Sequence, residues 1–144
     1  MNTLIVKIRQ HVLSIALIQA WVATLGSLYF SEIRHFAPCL LCWYQRILMF
    51  PLVIILSVAI LRRDEKVAYY VLPLATLGAV IALYHYLIQM TTLATFSPIS
   101  CGALGSCSQI QALFFGFVTI PLLSLMAFLV ILAMMIIILK VSKK

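Results

Sequence analysis

The chain has 144 residues, of which 65% are hydrophobic and 9% charged, with a net charge of +7 and a mean hydropathy of +1.20. Soluble domains are only about 45–50% apolar, so a soluble globular fold is excluded and a single integral membrane domain, 1–144, is expected. The basic residues sit at the ends of apolar segments and form no stripe on a polar face; this excludes a nucleic-acid surface and leaves topology signals with a secondary attraction to membrane lipid.

Lys7 and Arg9 precede an uncharged run from Val12 to Phe30. A secretory signal peptide begins in the same way, but this run has 19 residues and no small-x-small cleavage site after it, so a retained first span at about 12–30 is predicted. A short polar loop follows, with Glu32, Arg34 and His35, and the outward segment is placed at about 31–42. The second span is predicted at about 43–61, with Arg46 its only charge. Arg62-Arg63-Asp64-Glu65-Lys66 is a tight charged turn, and the third span covers about 67–88.

No Asp, Glu, Lys or Arg occurs between Lys66 and Lys140, and those 73 positions hold two spans of about 20 residues each plus a loop. Thr91, Thr92, Ser97, Pro98, Ser100, Gly102, Gly105, Ser106 and Ser108 give residues 89–116 loop character. The fourth span is expected at about 117–139. Pro51, Pro73 and Pro121 fall inside apolar spans, where neighbouring helices tolerate a kink. The fold class is therefore an all-α membrane protein, a bundle of four transmembrane helices.

Eight of the ten Lys and Arg residues lie in the amino-terminal segment, the central turn and the carboxy-terminal segment; only Arg34 and Arg46 lie in or beside the other two loops. Positive charge stays inside, so both termini are expected in the cytoplasm. All four cysteines, Cys39, Cys42, Cys101 and Cys107, then lie on the extracytoplasmic side of a cell membrane, where disulfides persist.

Pro38-Cys39-Leu40-Leu41-Cys42-Trp43-Tyr44-Gln45-Arg46 is the stretch with most chemistry in it. A thiol is a nucleophile as its thiolate, and helix N-termini and nearby cations favour that form. If Cys42 begins a membrane helix, the helix dipole and Arg46 at i+4 both favour its anion. The same residues would also suit a plain disulfide tying a loop, with Arg46 snorkelling to the headgroups. Four cysteines allow three pairings; sequence closeness favours Cys39–Cys42 and Cys101–Cys107. Bridges this short stabilise little, so they make better sense as exchangeable groups than as staples. Gly102 and Gly105 give the second pair an exposed loop that could approach another protein.

Zinc held by four thiolates is a rival reading. Its usual spacing of two to four residues fits the first pair but not the second, and an oxidising location weakens it, so no metal is expected. His85 lies 18 residues beyond Val67, or about 27 Å at 1.5 Å per residue, nearly across a ~30 Å hydrocarbon core. Arg46, Cys42 and His85 could therefore share one level near the outer boundary. An ionisable group within a span marks a candidate site; the blander role is an interfacial histidine among Tyr84 and Tyr86.

Cys39-Leu-Leu-Cys42 with Arg46, four spans, a second outward cysteine pair and Tyr84-His85-Tyr86 together resemble the DsbB family of membrane thiol oxidases. The close spacing of Cys101 and Cys107, with Phe117-Val-Thr-Ile-Pro121-Leu-Leu-Ser124 beyond, is most similar to its Gram-positive BdbC branch. The resemblance implies a bacterial, quinone-dependent protein thiol:disulfide oxidoreductase. Cys101/Cys107 would oxidise an extracytoplasmic thioredoxin-like thiol-disulfide oxidase, with Cys101 forming the mixed disulfide. Electrons would pass to Cys39/Cys42 and then to menaquinone or ubiquinone. Cys42, Arg46 and His85 would form the quinone site. A DsbA-type partner has a potential near about −120 mV, so few dithiols can re-oxidise it and a quinone pool is a suitable sink. Against this stand a non-catalytic membrane protein with structural disulfides and a thiolate metal site.

Overall fold

The computed structural model describes residues 3–36, 38–64, 66–90, 113–114 and 118–142. Cys101 and Cys107, which carry half of the expected chemistry, lie outside the described residues. Among the described residues there are four long helices: α1 (Thr3–Leu28), α2 (Leu40–Arg62), α3 (Val67–Met90) and α4 (Ile120–Ser142). All four are long and apolar enough to cross a membrane. A two-stranded antiparallel ladder, β1 (Leu113–Phe114) with β2 (Val118–Thr119), precedes α4.

The helices outrun the spans expected from hydropathy because a helix need not stop where the hydrocarbon does. α1 begins at Thr3, so Lys7 and Arg9 ride on its first turns, and α2 begins at Leu40 rather than at 43. α4 begins at Ile120 rather than 117, since Val118 and Thr119 are drawn into the strand pair. Pro121 is then the second residue of α4 and no mid-span kink, for in a first turn proline's missing N–H leaves no bond unmade. Pro51 and Pro73 are inside α2 and α3 as expected.

Helices packed against their chain neighbours, with α4 closing on α1, form the bundle. Its outside is as apolar as its inside: Ile18, Ile47, Ile54 and Leu61 are all at least 60% exposed. Helices hydrophobic all round belong in lipid, where burying apolar surface between them gains little and close backbone approach holds them together instead. The interior accordingly carries many small residues: Ala16 and Ala20 on α1, Ala59 on α2, Ala68, Ala75, Ala79 and Ala82 on α3, and Ala127 on α4. Leu13, Leu52, Leu56, Phe128, Ile131 and Met135 fill the space between them. Gly78 leaves no room for a side chain, because a Cβ there would run into the ring of Phe128. Hydroxyls within the helices bond backward to carbonyls four residues earlier, as Ser14, Ser57 and Thr76 do, so none of these three faces lipid unpaired.

The turn between α2 and α3 is closely built. Arg63 takes the left-handed conformation (φ 52°). Its N–H donates to the Ile60 carbonyl at 3.3 Å, and the Asp64 N–H donates to Ala59 at 3.0 Å, closing the end of α2. Asp64 then accepts from the Lys66 N–H at 2.8 Å and from the Tyr70 hydroxyl at 3.0 Å, starting α3. From α1, Arg9 Nη2 donates to the Arg63 carbonyl at 3.1 Å. At the opposite end α1 widens into a π-helical turn, Tyr29–Ile33, and His35 at φ 53° reverses the chain toward α2.

Replacing Gly78 by valine puts a branched side chain where the Phe128 ring lies, and is expected to cost about 1–3 kcal/mol. Thermal unfolding in detergent checks this, and Phe128→Leu in the same chain should restore part of the loss.

Candidate functional site

The site is assembled where the π turn of α1, the start of α2, the end of α3 and the start of α4 meet. Cys39 is the N-cap of α2: its backbone is extended (φ −72°, ψ 171°), its carbonyl accepts the first helical bond from the Trp43 N–H at 3.1 Å, and its Sγ accepts from the Cys42 N–H at 3.4 Å. Because the helix starts three residues earlier than hydropathy suggests, this terminus and its dipole act on Cys39 more directly than on Cys42.

Cys39 and Cys42 are free thiols with their sulfurs 3.0 Å apart. Behind them, His85 of α3 is buried, with Nε2 at 3.6 Å from Cys39 Sγ. Leu41 and Ile88 close the same small apolar cluster around Cys39. The Cys39 thiol is drawn down from an ordinary 9.0 to about 4. The hydrogen bond from Cys42 does most of this; burial opposes it, and His85 adds a hydrogen bond.

Arg46 lies one turn further along α2. Its Nε donates to Ser27 Oγ and its Nη2 to the Ser27 carbonyl, both at 2.8 Å, just before α1 widens. Its guanidinium also stands 5.6 Å from the Trp43 ring centre, a cation–π distance. Arg46 is thus anchored across the α1–α2 interface, and it does not snorkel freely.

Arg46, Ser27 and Cys42 border a cavity of about 290 Å³ between α1, α2 and α4. Phe30, Phe36 and Phe50 give it apolar walls. Phe30 and Phe36 stack with ring centres 6.1 Å apart and planes at 5°. The two cysteines divide at this point: Cys42 lines the cavity, whereas Cys39 is turned away toward His85. His85 is at the level expected from its depth, but against Cys39 and not on the cavity wall.

Two residues emerge that the sequence reading did not single out. Gln45 is 6% exposed, borders the cavity and places its Nε2 3.1 Å from His85 Nδ1. Ser27 holds Arg46. Gln45 could have been found as a buried amide one position from Arg46; Ser27, a hydroxyl inside an apolar run, left no comparable signal. Sγ of Cys39, Sγ of Cys42 and a ring nitrogen of His85 lie within 4.8 Å of one another, which brings together three potential ligands for a thiophilic cation.

The family model for disulfide bond formation protein DsbB matches residues 9–138 of the chain. "Disulfide bond formation protein C" of Bacillus subtilis is 53% identical over 117 residues, covering 81% of this chain and 83% of that protein. A "Probable disulfide formation protein C" of Bacillus cereus is 49% identical over 120 residues, 81% of this chain and 86% of the relative. That of Halalkalibacterium halodurans is 50% identical over 112 residues, 78% and 81% of the two chains. No solved structure matches.

With Cys101 and Cys107 replaced by serine, the reduced chain should retain one thiolate equivalent from neutral pH down to about 5, lost only near 4, as read from thiolate absorbance. The sign follows from a folded pKa below the unfolded one: the group's stabilisation of the reduced fold is complete above pH 9, declines as pH falls, and is gone below about 4. A single transition near 8–9 would contradict the geometry.

Proposed function

The chain belongs to the DsbB family of disulfide bond formation proteins, and from that premise we propose that it re-oxidises an extracytoplasmic thioredoxin-like oxidase and passes the electrons through two cysteine pairs to a membrane quinone. Its membership and its four apolar helices make it a multi-pass membrane thiol oxidoreductase. The observation that carries the proposal further is the division of labour at the inner pair, in which Cys42 faces an apolar cavity beside a fixed cation and Cys39 is held by His85.

The orientation proposed is termini and central turn inward, cysteines outward. The hydrogen bond from Arg9 to Arg63 supports it by gathering basic residues at one end of the bundle, opposite Cys39 and His85. In the proposed relay the partner's dithiol reduces the Cys101–Cys107 disulfide. An outer thiolate then attacks Cys39 Sγ of the oxidised inner pair, breaking its bond to Cys42, which leaves as thiolate. The second outer thiolate resolves the mixed disulfide, and Cys39 is released as a thiolate that the Cys42 N–H and His85 stabilise. Two electrons have moved and the outer disulfide is restored.

The cavity suits a quinone ring. Its three phenylalanine walls accept a flat apolar body, while Arg46 and the Ser27 hydroxyl provide a polar edge next to Cys42. When bound, a quinone supplies a two-electron, two-proton acceptor; Cys42, Arg46 and Ser27 would hold it. Arg46 keeps a positive charge where negative charge accumulates, and Ser27 keeps the guanidinium from drifting to the headgroups.

Purified protein mixed with a reduced thioredoxin-like donor and a soluble quinone analogue tests the relay. Cys42→Ser should abolish quinone reduction, and Arg46→Ala should raise the apparent KM for quinone about tenfold or more, as loss of a partly buried charged hydrogen-bonding group implies. Undiminished turnover in Cys42→Ser would sink the relay, and an unmoved KM would remove Arg46 from it. Impermeant thiol labels applied to intact cells should reach Cys101 and Cys107.

A further inference from the structure

Gln45 stands where the two halves of the site meet: it borders the cavity that Cys42 and Arg46 line, and it touches His85, which the cavity does not reach. A buried amide such as that of Gln45, in the second turn of a membrane helix, is costly unless it is hydrogen-bonded. Its Nε2 is 3.1 Å from His85 Nδ1. An amide nitrogen donates and cannot accept, so Nδ1 must be the accepting, unprotonated nitrogen of the ring. A neutral imidazole has one proton, which then resides on Nε2, the atom 3.6 Å from Cys39 Sγ.

We propose that Gln45 is a positioning residue that fixes His85 in its Nε2–H tautomer, so that the ring donates a hydrogen bond to Cys39 and favours the reduced form of the Cys39/Cys42 couple. The inference deepens the proposed relay and rests on that reading for its importance, since it concerns how readily the inner disulfide accepts electrons. A thiolate accepts such a bond strongly and a disulfide sulfur weakly. A donor fixed at Cys39 therefore lowers the energy of the dithiol state more than that of the disulfide, which makes the disulfide the better oxidant. The same tautomer takes the ring out of contention as a metal ligand through Nε2, because a protonated nitrogen has no lone pair to give. The three converging ligand atoms are thus arranged for proton and electron chemistry.

The opposite tautomer would present a lone pair to Cys39, requiring a neutral S–H there and opposing the thiolate. Gln45 thereby controls the sign of the His85 contribution. Substitutions at 45 should act in opposite directions according to what they offer Nδ1. Methionine, of similar volume, offers no donor and frees the tautomer. Glutamate accepts from an Nδ1–H and draws a second proton onto the ring, leaving Nε2–H still donating to Cys39 and now from a cation.

The test uses the full chain in detergent with Cys101→Ser and Cys107→Ser, so that only the inner couple titrates. Nitrogen NMR of histidine-labelled protein reads the tautomer, with the His85 signal identified by its loss in His85→Gln. Equilibration with glutathione reads the couple. The wild-type background should show Nε2–H at His85. Gln45→Met should lose that preference and shift the equilibrium about tenfold toward the disulfide, equivalent to about 30 mV for two electrons, while Gln45→Glu should shift it toward the dithiol. Should methionine prevent folding, the wild-type tautomer and the glutamate variant still decide. A proton on Nδ1 in the wild-type background, an equilibrium that neither variant moves, or a shift of the same sign in both would overturn the proposal. Neither readout involves a quinone or a partner protein, so failure here is separable from failure of the relay.

Discussion

The cap that Cys39 places on α2 is the interaction on which the rest of the site depends. A sulfur that accepts the Cys42 N–H must sit over the first turn of the helix, and a Cys-x-x-Cys spacing then brings the second sulfur back to within 3.0 Å of the first. N-cap geometry produces this, since the side chain of the cap turns back over the third residue of the helix, which here is Cys42. A cap of serine or aspartate would satisfy the same N–H, but it would supply no sulfur. Starting α2 at the sulfur makes the structural cap and the reactive group the same atom, with the helix dipole acting on it.

The surrounding bundle makes that geometry affordable in lipid. With little hydrophobic force between helices, α3 reaches the cysteines through close packing along Ala68, Ala75, Gly78, Ala79 and Ala82. The same stripe of small residues leads up α3 to His85, so the imidazole arrives at the sulfurs as the next position on an interior face. On the other side α1 approaches differently. Ser27 holds Arg46 from the last regular turn of α1, and the π turn and His35 that follow bring Phe30 and Phe36 to the cavity wall. π turns of this kind are frequent at functional sites because they re-aim a few side chains without breaking the helix.

Much of this was legible in the sequence. Four spans and the common level of Cys42, Arg46 and His85 follow from hydropathy and the rise of a helix. What was not legible is the sidedness around the sulfurs. Depth along a span places His85 within one turn, but it cannot say which face of α3 meets α2. His85 thus turned out to sit behind Cys39, apart from the cavity. The helix start at Leu40 was missed because hydropathy registers the hydrocarbon boundary, whereas a helix begins where a cap is available. Gln45 was passed over for a related reason: in a one-dimensional reading it is a polar residue beside an arginine, and its partner is 40 residues away.

The two sulfurs, close neighbours on one helix end, occupy different environments, and that asymmetry gives the pair a direction. Cys39 is 3% exposed, ringed by Leu41 and Ile88, and stabilised as an anion by Cys42 and by His85. Cys42 borders an apolar-walled cavity with a cation fixed at its edge. On the relay proposed, the sulfur attacked from outside should be the one whose release as a thiolate at the end of exchange is easiest, and the sulfur left facing the lipid acceptor should be the one with room beside it. Cys39 meets the first requirement and Cys42 the second. Exchanging the environments would, on that proposal, leave the stabilised thiolate facing the cavity and its acceptor. Electrons would then have to be drawn from the poorer donor of the two. A single helix start, with a histidine on one side and a cavity on the other, is sufficient to separate the roles.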